Sequence, residues 1–291
     1  RLAADPALAG VGVQHHHAHI AACLADHGRS GLVLGVALDG TGYGTDGTIW
    51  GGEFLLADLA GARRLGHLRA FRLPGGEAAI RRPWRTALSL VLAAGLDPQA
   101  FPALAELDAQ EAEVVRRQCE RGLNAPLTTS AGRLFDGVAA LIGVRRVVTY
   151  EAQAAMEMEA LAGSLAQDEG SGYRLDLAEG EDGMWCLDWR PLLDSLLADL
   201  RAGEAPPLLA RRFHVGMSEA IVALCRRLAA ETGVRVVALS GGCFQNQLLL
   251  ARTAHRLQAA GLEALTHRQV PANDGGVALG QAAVASWKGR G

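Results

Sequence analysis

Apolar and polar positions along the chain fall into helical and strand patterns that alternate. Gln14 to Ala25 is rich in Ala and His, lacks breakers and is followed by Gly28, which predicts a helix stopped near that glycine. Gly31 to Leu38 is a continuous apolar run and predicts a buried strand. That strand is expected to end in a Gly-rich turn, Asp39-Gly40-Thr41-Gly42-Tyr43-Gly44. Thr48 to Leu56 and Arg64 to Leu73 follow as strand candidates, so the chain opens a lobe as an antiparallel meander. Pro83 to about Ser164 reads mostly helical. Leu88, Val91 and Leu92 share one face, as do Leu134, Val138, Leu141 and Ile142, and Tyr150 to Leu165 forms a further helix. Tyr173 to Leu177 and Gly183 to Leu187 predict a hairpin across Glu179-Gly180-Glu181-Asp182, with helices after it at Pro191 to Ala202 and Leu208 to Thr232. Val234 to Leu239 is a buried strand. It turns through Ser240-Gly241-Gly242-Cys243-Phe244-Gln245-Asn246 into a helix that reaches about Ala260. Ala264 to Gln269 is the last strand, and Asn273-Asp274-Gly275-Gly276 opens a final helix to Trp287. The pattern is that of an α/β protein.

Composition narrows the class. The chain has 291 residues and a net charge of −3, enough length to bury a sizeable core and too little positive charge for a nucleic-acid surface. The short clusters Arg81-Arg82 with Arg85, and Arg211-Arg212, read as solvated faces. No apolar run reaches the ~18 residues of a membrane span. Cys23, Cys119, Cys186, Cys225 and Cys243 form no C-x-x-C pair, which favours a reducing compartment and a cytoplasmic protein. Arg1 stands where a natural start would have methionine, so further sequence is expected upstream.

Four segments carry chemistry. His15 and His19 are four apart, so on a helix they share a face and can hold one metal ion, although a solvated histidine run has the same spacing. A zinc-protease motif is disfavoured, because His16 stands where a general-base Glu would be. Asp39 closes a buried strand, where a carboxylate needs a partner. Asp274 opens a helix, where capping alone is another use for it. Two His and two Asp would make a mixed nitrogen and oxygen site suited to Fe(II), Mn(II) or Zn(II). The turns Asp39 to Gly44 and Ser240 to Asn246 leave backbone N–H groups unobstructed for phosphate oxygens, and Asn246 can read a ribose or base edge. Neither turn is a P-loop or Rossmann fingerprint, and each is also available as a tight structural turn.

Taken together, the motifs are specific. Val13-Gln14-His15-His16-His17-Ala18-His19-Ile20-Ala21, then Asp39 to Gly44, Ser130-Ala131-Gly132-Arg133-Leu134-Phe135-Asp136-Gly137-Val138-Ala139, Tyr150-Glu151, Ser240 to Asn246, Arg268-Gln269-Val270-Pro271 and Asn273 to Gly276 occur in that order. In this the chain strongly resembles the HypF-type carbamoyltransferases of hydrogenase maturation. More distantly it is similar to tRNA threonylcarbamoyltransferases and antibiotic O-carbamoyltransferases.

The resemblance implies the two-lobed actin, Hsp70 and sugar-kinase (ASKHA) fold, its first lobe incomplete here. Residues 1–28 and 274–291 would be the remnant of that lobe, and 29–273 the second lobe. It implies a divalent metal, Fe or Zn, on His15, His19, Asp39 and Asp274, with His15, His19 and Asp39 also catalytic. Gly40, Thr41, Gly42, Gly132, Asp136, Gly241, Gly242 and Asn246 would line the site for ATP or the AMP moiety of a carbamoyl-adenylate. The implied activity is transfer of the carbamoyl group from carbamoyl-adenylate, made from carbamoyl phosphate and ATP by upstream domains, to the C-terminal cysteine of HypE, on the route to a hydrogenase cyanide ligand. A transferase acting on a small-molecule hydroxyl and a non-catalytic nucleotide- or HypE-binding module are the alternatives. His16 and His17 are expected to pack or to support the ligands.

Overall fold

A computed structural model of the chain describes residues 10–165, 170–180 and 183–289. Parts of the expected first-lobe remnant (1–9, 290 and 291), and Glu181 and Asp182 of the expected hairpin turn, lie outside the described residues.

The centre is one mixed sheet. Its strands are β1 (Val33–Tyr43), β2 (Ile49–Ala57), β3 (Ala62–Leu68), β4 (Phe71–Arg72), β5 (Leu127–Thr128), β6 (Asp176–Glu179), β7 (Trp185–Asp188), β8 (Val236–Ser240) and β9 (Glu263–Leu265). They are ordered β6-β7-β3-β2-β1-β8-β9, with β5 joining β2 and β4 to one side. The expected meander is present: β1 with β2 and β2 with β3 are antiparallel. β8 adds to β1 in parallel, and β9 to β8 likewise, each reached through a helical crossover.

β1 is buried from Val33 to Asp39, and its alternation sorts side chains to two faces. Leu34, Val36 and Leu38 enter the larger core, which the helices Pro83–Ala93, Ala131–Leu141 and Pro206–Thr232 complete. Val33 and Ala37 face the other way, against Ile20, Cys23 and Leu24 of the helix His15–Asp26. Gly35 belongs to this second face: a Cβ there would stand 2.5 Å from Ile20 Cγ1, so its bare backbone lets the helix sit close on the sheet. The last helix, Val277–Lys288, crosses the first at Gly280, where a Cβ would lie 1.9 Å from the Ala18 carbonyl oxygen.

Four expectations are corrected. Asp39 to Gly44 is not a turn. β1 runs on to Tyr43, its register against β2 slips between Leu38 and Gly42, and the hairpin turns around Thr45 to Thr48. The glycines make a bulge, which bends a strand without ending it. The single strand expected over Arg64 to Leu73 divides into β3, which pairs with β2 and β7, and β4, which pairs with β5 instead. The last strand stops at Leu265, because the backbone N–H groups of Arg268 and Gln269 turn to the Asp26 carboxylate. The helix expected from Tyr150 begins at Gln153, after Ala152 in left-handed backbone.

Gly280→Ala is expected to force the two helices apart and to lower stability by about 1–3 kcal/mol in urea denaturation. Gly163→Ala, where nothing lies within 4 Å of the new Cβ, is the control and should stay within about 0.5 kcal/mol of the parent.

Candidate metal and nucleotide site

The first helix begins where Gln14 caps it, the Gln14 side-chain oxygen accepting from His17 N–H at 2.9 Å. Three further contacts fix its position. His17 Nε2 meets the Asp58 carbonyl at 2.7 Å, His27 Nε2 meets that of Thr266 at 2.7 Å, and Asp26 accepts backbone N–H bonds at Arg268 and Gln269. This sets the face bearing His15 and His19 over the end of β1. There Asp39 Oδ2 lies 3.0 Å from His15 Nε2 and 3.3 Å from His19 Nε2.

Asp274 arrives from the other end of the chain. Its Oδ1 is 3.4 Å from each of those nitrogens, and the two nitrogens are 3.2 Å apart. All four donor atoms lie within 4.8 Å of one another. Bonds of about 2.0–2.2 Å place the donors of a tetrahedral ion roughly 3.3–3.6 Å apart. The five separations given above, 3.0–3.4 Å, are close to that spacing. Two facing imidazole nitrogens and two carboxylates fit a divalent cation by both geometry and donor chemistry. Asp274 does not cap the helix. Asn273 caps the single 3-10 turn Asp274–Gly276 that precedes it, accepting from Gly275 N–H, and the Asp274 carboxylate is 73% exposed.

The glycine turns support this cluster. Gly242 N–H donates to Asp39 Oδ1 at 3.2 Å, so one carboxylate oxygen is held by backbone while the other faces the imidazoles. Burial would raise the Asp39 carboxyl, but hydrogen bonds to His15 and His19 outweigh it and hold the group well below the usual carboxylate range. The hydrogen bond with Asp39 raises His15, against burial. Gly241 has φ +98°, and a Cβ there would meet the Leu38 carbonyl oxygen at 2.2 Å, so only glycine fits. Its N–H reaches the Ala272 carbonyl, which ties this turn to the Asp274 segment.

The remaining candidates divide. Gly40 and Gly132 meet back to back: a Cβ on Gly132 would stand 2.9 Å from Gly40 Cα. Ser130 Oγ caps the helix Ala131–Leu141 and donates toward the Asp39 and Gly40 carbonyl oxygens. Gly42 packs on the histidines, since a Cβ there would be 2.4 Å from His16 Cε1. The Thr41 side chain is exposed. Asp136 is buried beside Arg133, with 2.8 Å between Oδ2 and Nη1, and burial pushes its carboxyl up to about 6. The Asn246 side chain is engaged at both ends, Oδ1 capping the helix Gln247–Ala259 through Leu249 N–H and Nδ2 lying 2.9 Å from His214 Nε2. It shapes the turn and is already bonded where a base or ribose contact was expected.

Three residues were not among the sequence candidates. Glu53 is fully buried and accepts from Gly51 N–H, Gly52 N–H, the Thr129 hydroxyl and Arg64 Nε. The Arg64 guanidinium lies 4.1 Å above Trp50, whose ring stands 5.9 Å from His16. A lone acidic residue inside the apolar run Trp50 to Leu56 was the available signal for Glu53. Arg133 is the third, inside the motif Ser130 to Ala139 and marked there as a cation within an apolar helical face. His16 is fully buried, and burial lowers its pKa to about 3, so it stays neutral beside the cluster. Two open clefts, of about 550 and 610 Å3, lie around Gly143 and Val144 and include none of these residues.

Among known proteins, the family model described as carbamoyltransferase, Kae1-like domain, second subdomain matches residues 35–281. Carbamoyltransferase HypF2 of Cupriavidus necator is 42% identical over 98% of the chain, and the chain spans 37% of that relative. A HypF homolog of the same organism is 44% identical over 98% of the chain, which covers 73% of it. A crystal structure of full-length HypF in a phosphate- and nucleotide-bound form superposes with a TM-score of 0.90 at 40% identity, over 97% of this chain and 43% of that one. By these matches the chain belongs to the HypF carbamoyltransferase family, its residues 35–281 corresponding to the second subdomain of the Kae1-like domain.

Proposed function

We propose that the chain carries the carbamoyl-transfer site of a HypF-type enzyme, with a divalent metal, Fe or Zn, on His15, His19, Asp39 and Asp274. The observation that carries this reading is the four-donor cluster, drawn from three separate segments and backed by Gly242. Bound there, the ion would act as a Lewis acid toward an acyl or phosphoryl oxygen. Asp39 keeps the two histidines aimed at one point, with Gly242 fixing its second oxygen. His17 and Gln14 anchor the helix, and neutral His16 fills the space against Gly42 and Trp50. The backbone around Gly40 and Gly132 would receive the nucleotide of a carbamoyl-adenylate.

The acceptor is read as external. Burial raises the thiol of each of the five cysteines, Cys23 to about 12, so the chain has no activated thiolate of its own. This supports a thiol from a partner, the C-terminal cysteine of HypE, with carbamoyl phosphate and ATP handled upstream. The helices His15–Asp26 and Val277–Lys288 are assigned to the remainder of the first lobe, since they cross tightly and carry three of the four donors on or beside them. Among the described residues no helix is long and apolar enough to cross a membrane.

Elemental analysis should find about one metal ion per chain, and His15→Ala/His19→Ala should lose it while keeping the helical circular dichroism of the parent. Metal retained by the double variant would sink the ligand assignment. With carbamoyl-adenylate supplied, label should pass to a peptide ending in cysteine and not to its serine counterpart. The transfer rate should fall by more than about a hundredfold in His19→Ala. Labelling of the serine peptide instead would move the reading to a hydroxyl acceptor.

A further inference from the structure

Arg133 stands in the first turn of the helix Ala131–Leu141, whose N-terminus abuts the Asp39-Gly40 bulge through Ser130 and Gly132. The residue is 3% exposed, and a guanidinium so placed keeps its charge and needs acceptors for its five N–H bonds. Nη1 lies 2.8 Å from Asp136 Oδ2 but out of hydrogen-bonding line, and neither Nε nor Nη1 has a hydrogen-bond acceptor among the described residues. Nη2 is 3.3 Å from where a Cβ on Gly40 would lie, and Glu151 Oε1 is 3.8 Å from the same point. The guanidinium therefore faces the bare Gly40 backbone, one residue from the metal-ligand candidate Asp39.

A purely structural arginine would use its fork on its carboxylate. Here the carboxylate satisfies little of it, and burial outweighs the arginine in setting the Asp136 carboxyl at about 6. The fork geometry matches two oxygens of a phosphoryl group, and the helix N-terminus favours an anion at the same place.

We infer that Arg133 is the phosphate-reading residue of this site: it takes the 5′-phosphoryl oxygens of a nucleoside monophosphate moiety over Gly40, so that affinity for the nucleotide depends on its phosphate. The inference rests on the nucleotide reading above and adds to it the residue that discriminates the phosphorylated ligand.

The test is calorimetric titration of the intact chain with AMP and with adenosine. The parent should bind AMP at least about tenfold more tightly than adenosine. Arg133→Gln should abolish that preference while leaving adenosine affinity and metal content at the parent's values. Arg133→Lys keeps a charge opposite Asp136 and guards against misfolding of the first variant. It should lose most of the preference, because an ammonium cannot make the bidentate contact. A parent that binds both ligands equally would overturn the inference. So would an Arg133→Gln or Arg133→Lys chain that keeps the parent's preference, or an Arg133→Lys chain that loses adenosine and metal along with AMP. The transfer reading fails separately, by absence of metal in the parent, and the AMP-to-adenosine ratio remains readable in that case.

Discussion

The arrangement depends on placing a carboxylate, Asp39, at the buried end of a central strand. A charge there is costly unless hydrogen-bonded. The chain meets that cost from three directions: Gly242 N–H from the turn after β8, and His15 and His19 from the helix on the sheet's second face. Each partner needs its own support. The turn holds its shape because Gly241 accepts a backbone conformation and a contact with Leu38 that a side chain would forbid. The helix lies close because Gly35 and Gly280 remove the Cβ atoms that would hold it away from the sheet and from the last helix. The same last helix follows directly on the Asp274 turn, so the helix crossing and the fourth donor are set together.

This explains why small residues gather where the chemistry is. Gly35, Gly132, Gly241 and Gly280 lie at close approaches of backbone to backbone or of backbone to a neighbouring side chain. The bulge in β1 has a related role. Slippage between Leu38 and Gly42 turns the strand past Asp39 and lets the N-terminus of the helix Ala131–Leu141 come up beneath Gly40. A metal-type face and a phosphate-type face then share one short stretch of backbone, Asp39-Gly40.

Much of this was legible in the chain. The i, i+4 spacing of His15 and His19, the apolar run that reaches Asp39 and the glycine turn after β8 are local patterns, and these survive folding, whereas the glycines after Asp39 became a bulge rather than a turn. Strand limits were less legible because tertiary bonds set them. Asp26 draws off the backbone of Arg268 and Gln269 and ends β9 early, a contact across more than two hundred positions that periodicity does not register. Asp274 and Asn273 illustrate the same limit. Asp274 could have been a helix cap from sequence, but Asn273 takes the capping role in the 3-10 turn before the last helix while Asp274 reaches the histidines. Asn246 shows the same limit, since its amide meets buried His214, thirty-two positions earlier, a contact that local spacing does not register.

Glu53 and Arg64 show how such a site can be stiffened without touching a ligand. Glu53 is wholly buried yet has four donors, two of them the backbone of its own strand. With Arg64 clamped in this way over Trp50, and Trp50 beside the His16 ring, the wall behind the histidines is built from charged and aromatic groups that leave each other little freedom. Removing one partner from a satisfied buried pair leaves the other uncompensated, so the network is cooperative by construction. Thr129 connects it to Ser130, which caps the helix carrying Arg133. The wall behind the histidines and the placement of the buried guanidinium therefore meet at one segment, Thr128 to Ser130, where β5 pairs in parallel with β2.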